Sequence, residues 1–389
     1  MNLDSPALAP DRWALASDLV HLNHGSYGGC PRTVLDAALA LRTHLEAAPM
    51  RFFVLEWQDQ VDAARAALAG FLRAPADRLV FTTTATTGVA IALGSCAIAA
   101  GDEVVTTDHC YRACKNQLQR LVRERSATLV IVPIAVPFDP DAAVAAIARA
   151  VTDKTVIAVL DHVTSPTAVI MPLDRIVPPL VQRGIQVVID GAHAPGQIDL
   201  DVTAIGATYY AGNNHKWLCA PKSTGFLVAT GPAQPLVTSH GASPEYGPAN
   251  RLHAELDWTG TYDPTAQLCI PTALATLAAV APSAAIHARN HALAIALRDH
   301  VIAELGGDRR HKLAPDASLG SMAAIPVTLP PHVTPLAMTK RLLREGWELP
   351  IVDWPGQPLV RISAHLYNSL ADAAPLVAVL RELGITLAR

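Results

Sequence analysis

One stretch of the sequence constrains the fold more than any other. The β-branched run at residues 187–189 ends on Asp190 and is followed at once by Gly191. A continuous apolar run of this kind is typical of a strand in a parallel sheet that is covered on both faces. Ligands of such sheets bind beyond the carboxyl ends of the strands, which is where Asp190 stands. The sequence therefore predicts an α/β fold with a ligand site next to Asp190.

A lysine follows in a polar loop, within the sequence Asn-Asn-His-Lys-Trp at residues 213–217. An aspartate and a lone lysine at one rim of a sheet suit a pyridine aldehyde cofactor. The amine of Lys216 would form a Schiff base with the aldehyde, and Asp190 would keep the pyridine nitrogen protonated. The alternative is that Asp190 caps a helix and Lys216 is a surface charge. Taken alone, the two residues leave both interpretations open.

A hydroxyl-rich segment, Thr-Thr-Thr-Ala-Thr-Thr-Gly at residues 82–88, joins a predicted strand to an apolar helix. The free N–H groups at a helix start and the helix dipole both favour an anion, so this junction predicts a phosphate site. An ordinary threonine N-cap is the alternative. The hydroxyls and amides at this helix start are more than capping requires, which favours the phosphate site.

Strands and helices alternate along the first two thirds of the chain, which indicates a doubly wound, mostly parallel sheet. A helix after Pro31 is expected to place Leu35, Leu39 and Leu45 on its apolar side. We predict an N-terminal arm at residues 1–20, a large domain at 21–262 and a smaller domain at 263–389. The apolar runs that predict strands are residues 79–81, 104–107, 129–132, 156–160, 187–189 and 225–229, and then 322–329, 349–352 and 359–362 near the C-terminus.

The composition argues against several classes of protein. A chain of 389 residues is too long for one ordinary core, and only 16% of its residues are charged, as in a well-buried α/β protein. The net charge of −4 gives no reason to expect nucleic-acid or membrane binding. The apolar run at residues 89–100 is too short to span a bilayer. Six cysteines show no disulfide or zinc spacing, and residues 1–11 lack the apolar core of a secretory signal. We therefore expect a reduced, cytoplasmic protein without a metal site.

Six motifs in order give the chain a resemblance to a known family. It resembles the class V branch of the fold-type I pyridoxal-phosphate enzymes, and within it is similar to the isopenicillin N epimerase-like group. The resemblance implies pyridoxal 5′-phosphate as cofactor, and a large domain with a doubly wound sheet followed by a smaller α+β C-terminal domain. The motifs are Leu22-Asn23-His24-Gly25-Ser26-Tyr27-Gly28, Met50-Arg51-Phe52-Phe53, His162-Val163-Thr164-Ser165-Pro166-Thr167, Asp190-Gly191-Ala192-His193-Ala194-Pro195-Gly196, His215-Lys216-Trp217-Leu218 and Arg361-Ile362-Ser363-Ala364.

The resemblance also implies roles for individual residues. Lys216 would hold the cofactor and move the substrate α-proton, Asp190 would pair with the pyridinium nitrogen, and His193 would pack near the ring. Arg361 would grip the substrate α-carboxylate through a bidentate pair; a salt bridge within the small domain is the alternative. The resemblance implies contacts to the cofactor phosphate from Ala85, Thr86, Asn213 and His215, a contact to the 3′-oxygen from Ser165, and stacking on the ring by Tyr111 or else His109. It also implies a homodimer in which Gly260 and Thr261 contact the phosphate of the partner subunit. Asn23 and His24 would contact the substrate.

The reaction type stays open, because Lys216 serves three different outcomes of α-proton removal. Family likeness favours an isopenicillin N epimerase-like epimerase or racemase acting on an amino-acid-type substrate. A C–S or β-elimination lyase of the cysteine-conjugate type comes second, and an aminotransferase third. The segment after Arg361 contains no cysteine, which disfavours a cysteine desulfurase. The intact set of Asp190, Lys216 and Arg361 disfavours a silent sensor or interaction protein. Arg112 stands where the family pattern suggests a small residue, which leaves the substrate open.

Overall fold

The computed structural model describes residues 2–243 and 251–388. The strands are β1 (Val20–His21), β2 (Leu79–Thr82), β3 (Glu103–Thr107), β4 (Thr128–Val132), β5 (Thr155–Asp161), β6 (Gln186–Asp190), β7 (Tyr209–Asn213), β8 (Gly225–Ala229), β9 (Met322–Thr328), β10 (Trp347–Glu348), β11 (Ile351–Trp354), β12 (Gln357–Ser363) and β13 (Thr386–Leu387). The α-helices are α1 (His24–Tyr27), α2 (Arg32–Ala47), α3 (Pro49–Arg51), α4 (Trp57–Leu72), α5 (Ala85–Ser95), α6 (Arg112–Arg125), α7 (Pro140–Ala150), α8 (Leu173–Gln182), α9 (Val202–Ile205), α10 (Arg251–Leu256), α11 (Thr265–Leu268), α12 (Ile270–Ala278), α13 (Ser283–Glu304), α14 (Pro335–Arg344) and α15 (Ala373–Glu382).

The large sheet has the strand order β2-β8-β7-β6-β5-β3-β4. Pairing is parallel from β7 through β6, β5 and β3 to β4, and β8 pairs antiparallel with both β7 and β2. The predicted mostly parallel, doubly wound sheet is therefore confirmed. Strand β7, buried along its whole length, has no counterpart among the apolar runs. Its Gly212 is required by close packing, because a Cβ there would lie 2.4 Å from the Phe226 ring.

Both faces of this sheet are covered, and successive side chains of β6 enter different cores. Val187 and Ile189 belong to one core, which also holds buried residues of α4 and α8, whereas Val188 packs with residues of α5 and α6 on the other face. The alternation follows from the two-residue period of a strand. It explains why the three buried positions between Gln186 and Asp190 are all apolar.

The C-terminal part forms a four-stranded antiparallel sheet with the order β11-β12-β9-β13, backed by a core that includes residues of α13 and α15. Contacts in the structure cross both of the domain boundaries predicted from the sequence, after residue 20 and after residue 262. Strand β1 pairs with β10, so residues 20–21 join the C-terminal unit. Residues of α11 and α12 belong to the core of the large unit, which therefore continues past residue 262.

The helices differ in two ways from simple amphipathic or membrane-spanning helices. The predicted apolar side of α2 is wrong in part, because Val34 and Leu45 are buried while Leu39 is 66% exposed. Within the described residues, no single helix is long and apolar enough to cross a membrane; the bent pair Thr265–Ala278 and Ser283–Glu304 passes that test only when its two members, 74° apart, are taken together.

Candidate active site

The carboxyl ends of β5, β6 and β7 meet the start of α5 around a cavity of about 210 Å³. The cavity brings together eight residues that the sequence predicted for the cofactor site. They are Thr86, Tyr111, Ser165, Asp190, His193, Asn213, His215 and Lys216. Six more line it, namely Ser26, Tyr27, Thr84, Asp161, Val163 and Ala192.

The Lys216 amine lies 3.1 Å from Nε2 of His193. Burial and the nearby charge of Arg361 lower the pKa of Lys216 to about 7, although Asp190 and Asp161 act in the opposite direction. A large share of this amine is therefore neutral at physiological pH, which is the form that attacks an aldehyde. Burial and the charge of Lys216 hold the pKa of His193 well below its usual range, so its ring is neutral.

Two carboxyl groups face each other at the ends of β5 and β6. Asp161 and Asp190 are register partners in the sheet, and both are buried. Burial and the charge of Asp190 raise the pKa of Asp161 well above its usual range, which favours its protonated form. Asp190 accepts hydrogen bonds from the Ala192 amide (3.0 Å) and from the Cys114 thiol (3.1 Å). Asp161 was missed as a site residue, although its strand ends on a carboxyl group just as that of Asp190 does.

At the start of α5 the structure shows the threonine N-cap, and the predicted phosphate contact there stays a prediction. Thr84 is the N-cap, and its hydroxyl accepts the amide N–H of Thr87 at 3.2 Å. The amide of Ala85 donates to the Asn213 side-chain oxygen at 2.8 Å, and Ala85 does not line the cavity. Ala85 was predicted to donate to the phosphate; the structure shows its N–H holding Asn213 in place. Thr86 faces the cavity as predicted.

Of the two candidates for stacking on a cofactor ring, only Tyr111 lines the cavity. His109 is fully buried elsewhere, where Nδ1 lies 2.7 Å from the Thr167 hydroxyl and Nε2 lies 3.1 Å from the Ile134 carbonyl oxygen. Its ring packs edge-on against Trp354. The structure therefore places His109 in the core between the two sheets and leaves Tyr111 as the stacking candidate.

His24 lies behind the lysine rather than at the substrate position that the sequence predicted. Its Nε2 donates to the backbone carbonyl of Lys216 at 3.0 Å, and its Nδ1 accepts the Tyr367 hydroxyl at 3.0 Å. Burial lowers the pKa of His24 to about 3, so this ring stays neutral. His24 therefore positions the Lys216 backbone and does not reach the cavity.

His24 is also part of a buried group with Cys219 and His365 whose nitrogen and sulfur atoms lie within 4.8 Å of one another. The two imidazole rings stack at a centroid distance of 3.8 Å and an angle of 15°. The lone pair of an imidazole nitrogen lies in the plane of its ring. Because the two rings are stacked in nearly parallel planes, an ion in the plane of one ring would lie outside the plane of the other, and the two nitrogens cannot both coordinate it. His24 also directs its Nε2 proton to the Lys216 carbonyl. The group packs the floor of the site and is not arranged as a metal centre.

Arg361 is buried on β12, with only neutral oxygens around it. Nη1 donates to the Ser165 carbonyl (2.6 Å) and hydroxyl (3.1 Å), and Nη2 donates to the Ser26 hydroxyl (2.7 Å). Asn23 lies at the edge of this set, with its side-chain oxygen 3.5 Å from Nη2. Among the residues that the structure describes, no carboxylate forms an ion pair with Arg361, and its Nε has no partner. Within the described residues, Arg361 therefore lacks the salt bridge that the alternative requires.

Burial lowers the pKa of Arg361 to about 10, which still leaves it charged at neutral pH. A buried cation without an anion is costly, because its desolvation is not compensated. Ser26 and Ser165, which hold the guanidinium, both line the cavity. An incoming carboxylate would supply the missing charge.

Gly260 and Thr261 lie in the loop before α11 and do not line the cavity. Thr261 is exposed. The predicted contact of these two residues with the partner subunit's phosphate stays a prediction.

The family described as aminotransferase class-V matches residues 29–328. The chain belongs to this family. Its members are enzymes that depend on pyridoxal phosphate and act on amino-acid substrates, so pyridoxal 5′-phosphate is the cofactor. The cavity fits that group, because the amine of Lys216, the carboxylate of Asp190 and the N-terminus of α5 all border it.

The chain is 31% identical to the isopenicillin N epimerase of Amycolatopsis lactamdurans over 97% of its own length and 98% of the relative's. It is 30% identical to the L-cysteine desulfhydrase of Arabidopsis thaliana over 66% of its length and 60% of the relative's. Among solved structures, the complex of the cystine C–S lyase C-DES with its product cysteine persulfide has a TM-score of 0.82 at 20% identity, covering 94% of this chain and 98% of that one. These neighbours confirm the fold-type I architecture.

Proposed function

We propose that this enzyme is an epimerase or racemase of the isopenicillin N epimerase type, which inverts the α-carbon of an amino-acid substrate. Support comes from the near-full-length likeness to isopenicillin N epimerases. The observation that carries the proposal is the pairing of two proton-handling groups in one cavity. Lys216, with a pKa of about 7, can take a proton, whereas burial raises the pKa of Tyr111, which therefore keeps its proton to donate.

The roles of the chain's own groups follow from their charges. When bound, pyridoxal phosphate makes the substrate α-proton acidic by delocalising the resulting negative charge into its pyridine ring. Asp190 supplies the carboxylate for the ring nitrogen, and Arg361 holds the substrate carboxylate. Lys216 removes the α-proton. Inversion requires that a second group return a proton on the face opposite Lys216, and we assign that role to the Tyr111 hydroxyl in addition to packing of its ring on the cofactor.

A C–S lyase is the second candidate, because L-cysteine desulfhydrases and a cystine C–S lyase are among the similar proteins. Such an enzyme would lose the β-substituent after α-proton removal, and Lys216 could begin that reaction equally well. The epimerase is preferred because the isopenicillin N epimerase of Amycolatopsis lactamdurans is 31% identical over 97% of this chain, whereas the Arabidopsis L-cysteine desulfhydrase is 30% identical over 66% of it. An aminotransferase comes third.

One experiment separates these reactions. The cofactor-loaded enzyme is incubated with single-enantiomer amino acids in deuterated water, and Cα deuterium, chirality, pyruvate and keto acids are measured. We expect deuterium at Cα with inversion. Release of pyruvate and sulfide from L-cysteine without inversion of any substrate would establish the lyase instead. Tyr111→Phe should keep exchange at Cα but lose inversion, and Lys216→Ala should lose both.

The homodimer is also part of this proposal. Four large apolar side chains on α2 and the segment after it are exposed, with exposed fractions of 66–81%. Exposed apolar side chains suit a protein–protein contact where they lie together, and a second copy of the chain is the partner that the shared-site prediction requires. The four residues are Leu39, Met50, Val54 and Leu55.

A further inference from the structure

A second cavity of about 860 Å³ opens beside the active site. The start of α6 forms one wall, and the start of α14 together with β11 forms the other. Tyr111 and Ser165 line both cavities, so the second is continuous with the first. We call it the α6 groove. The proposed proton transfer at the substrate α-carbon takes place in the first cavity and does not require the α6 groove.

The charged side chains of the α6 groove are not all paired. Arg112 contacts Asp353 across the groove, with Nη2 3.2 Å from Oδ2. Asp108 accepts the Ile134 amide N–H at 2.9 Å. Lys115 has no ion pair or side-chain hydrogen bond with any described residue, although it is half-buried in the groove. Among the described residues, Lys115 is thus a cation of the groove without an ion pair, and Asp108 is an anion whose nearest basic group is the neutral ring of His109 at 3.8 Å.

Lys115 stands one helical turn beyond Tyr111. Its backbone N–H donates to the carbonyl of Tyr111, the N-cap of α6, at 2.9 Å, and the side chains of both residues line the groove. The opposite wall is largely apolar and includes Pro335, Leu336 and Trp354. A ligand leaving the active site past Tyr111 would meet apolar surface first and then the ammonium of Lys115.

We infer that the α6 groove binds the side chain of an extended amino-acid substrate, with several methylene groups along the apolar wall and a terminal carboxylate at Lys115. The inference rests on the proposed function, which places the α-carboxylate at Arg361 and the α-carbon at Lys216. The first turn of α14 lines the same groove, and its helix dipole also favours an anion. A substrate as small as cysteine would leave the groove empty. Lys115 is therefore a specificity-determining residue.

The test measures ligand binding to the cofactor-loaded enzyme by calorimetry and by the absorbance of the bound cofactor. One ligand series consists of α-amino acids that end in a carboxylate after two, three or four methylene groups. The second series consists of apolar straight-chain amino acids of matched length. We expect the longer acids to bind about tenfold more tightly than their apolar counterparts, which corresponds to about 1.4 kcal/mol.

Lys115→Gln should abolish that preference and leave the affinity for the apolar series unchanged, and Lys115→Arg should restore most of it. Lys340→Gln is the matched control, since Lys340 is an exposed lysine on α14 that does not line the groove. Equal binding of both series, or a preference that survives Lys115→Gln, would overturn the inference and leave the proposed function intact. If no amino acid binds to the loaded enzyme, the proposed function itself fails.

Discussion

Removing the amine of Lys216 should stabilise the protein when the cofactor is absent. Without cofactor, the lysine is a largely buried cation whose charged form is penalised by burial and by the nearby charge of Arg361. Lys216→Met keeps the length of the side chain and deletes the charge. We therefore expect the cofactor-free variant to unfold at a higher denaturant concentration than the cofactor-free parent.

The size of this effect follows from the pKa of Lys216, which falls from an ordinary 10.5 to about 7. One pKa unit corresponds to about 1.4 kcal/mol, so the full penalty is about 5 kcal/mol. Because Lys216 is not fully buried, solvent screens part of the charge, and a gain of roughly 2–5 kcal/mol is expected. Because the unfolded chain binds this proton more tightly than the folded one, the parent's free energy of unfolding rises with pH between about 7 and 10.5. The advantage of Lys216→Met is complete below pH 7 and vanishes above pH 10.5.

The measurement is urea unfolding of both cofactor-free proteins at pH 6, 7.5 and 9, followed by circular dichroism. Lys340→Met serves as the control, because it removes an exposed lysine and should leave the pH profile of the parent unchanged. The difference between Lys216→Met and the parent should shrink steadily as the pH rises. A difference that is absent, or equal at all three pH values, would refute the reasoning that the Lys216 amine is destabilised by burial.

Three other outcomes are expected. Arg361→Lys should weaken amino-acid binding tenfold to a hundredfold, because an ammonium cannot form the bidentate pair, while the absorbance of the bound cofactor stays the same. Gly28→Ala should lower stability by about 3 kcal/mol in urea unfolding and impair cofactor binding, since Gly28 has φ +71° and a Cβ there would lie 1.9 Å from the His215 carbonyl oxygen. Mixing inactive Lys216→Ala chains with inactive Thr261-altered chains should restore part of the activity if sites are shared between subunits; no recovery despite subunit exchange would count against a shared site.

The large sheet was predictable because its central strands are buried on both faces, which leaves a continuous apolar run that ends on a polar group. The position of Asp190 at the end of β6 follows from that pattern. Strand β7 was missed because Gly212 and Asn213 interrupt its apolar character. Glycine is needed there for close packing against Phe226, a long-range requirement that no local pattern reveals.

The site residues were harder to assign where two neighbours compete for one position. His109 and Tyr111 both follow β3, and only the path of the loop decides that Tyr111 faces the cavity. For Ala85, the partner of its amide is Asn213, 128 residues away in the sequence. His24 resembles a substrate ligand in sequence, yet its hydrogen bond reaches the Lys216 backbone. In each case, the contact that decides the role of the residue is made with a segment far away in the sequence.

Arg361 shows most clearly why such contacts decide function. The hydroxyls that hold its guanidinium come from Ser26 and Ser165, which are 335 and 196 residues away in the sequence. One buried cation thus joins the N-terminal segment and the loop after β5 to the C-terminal sheet. Neutral hydroxyls are weaker acceptors than a carboxylate. A substrate carboxylate can therefore displace them at a net gain, and binding it would reorganise the contacts among all three segments. The protein keeps the cation in place with partners that the substrate can outcompete.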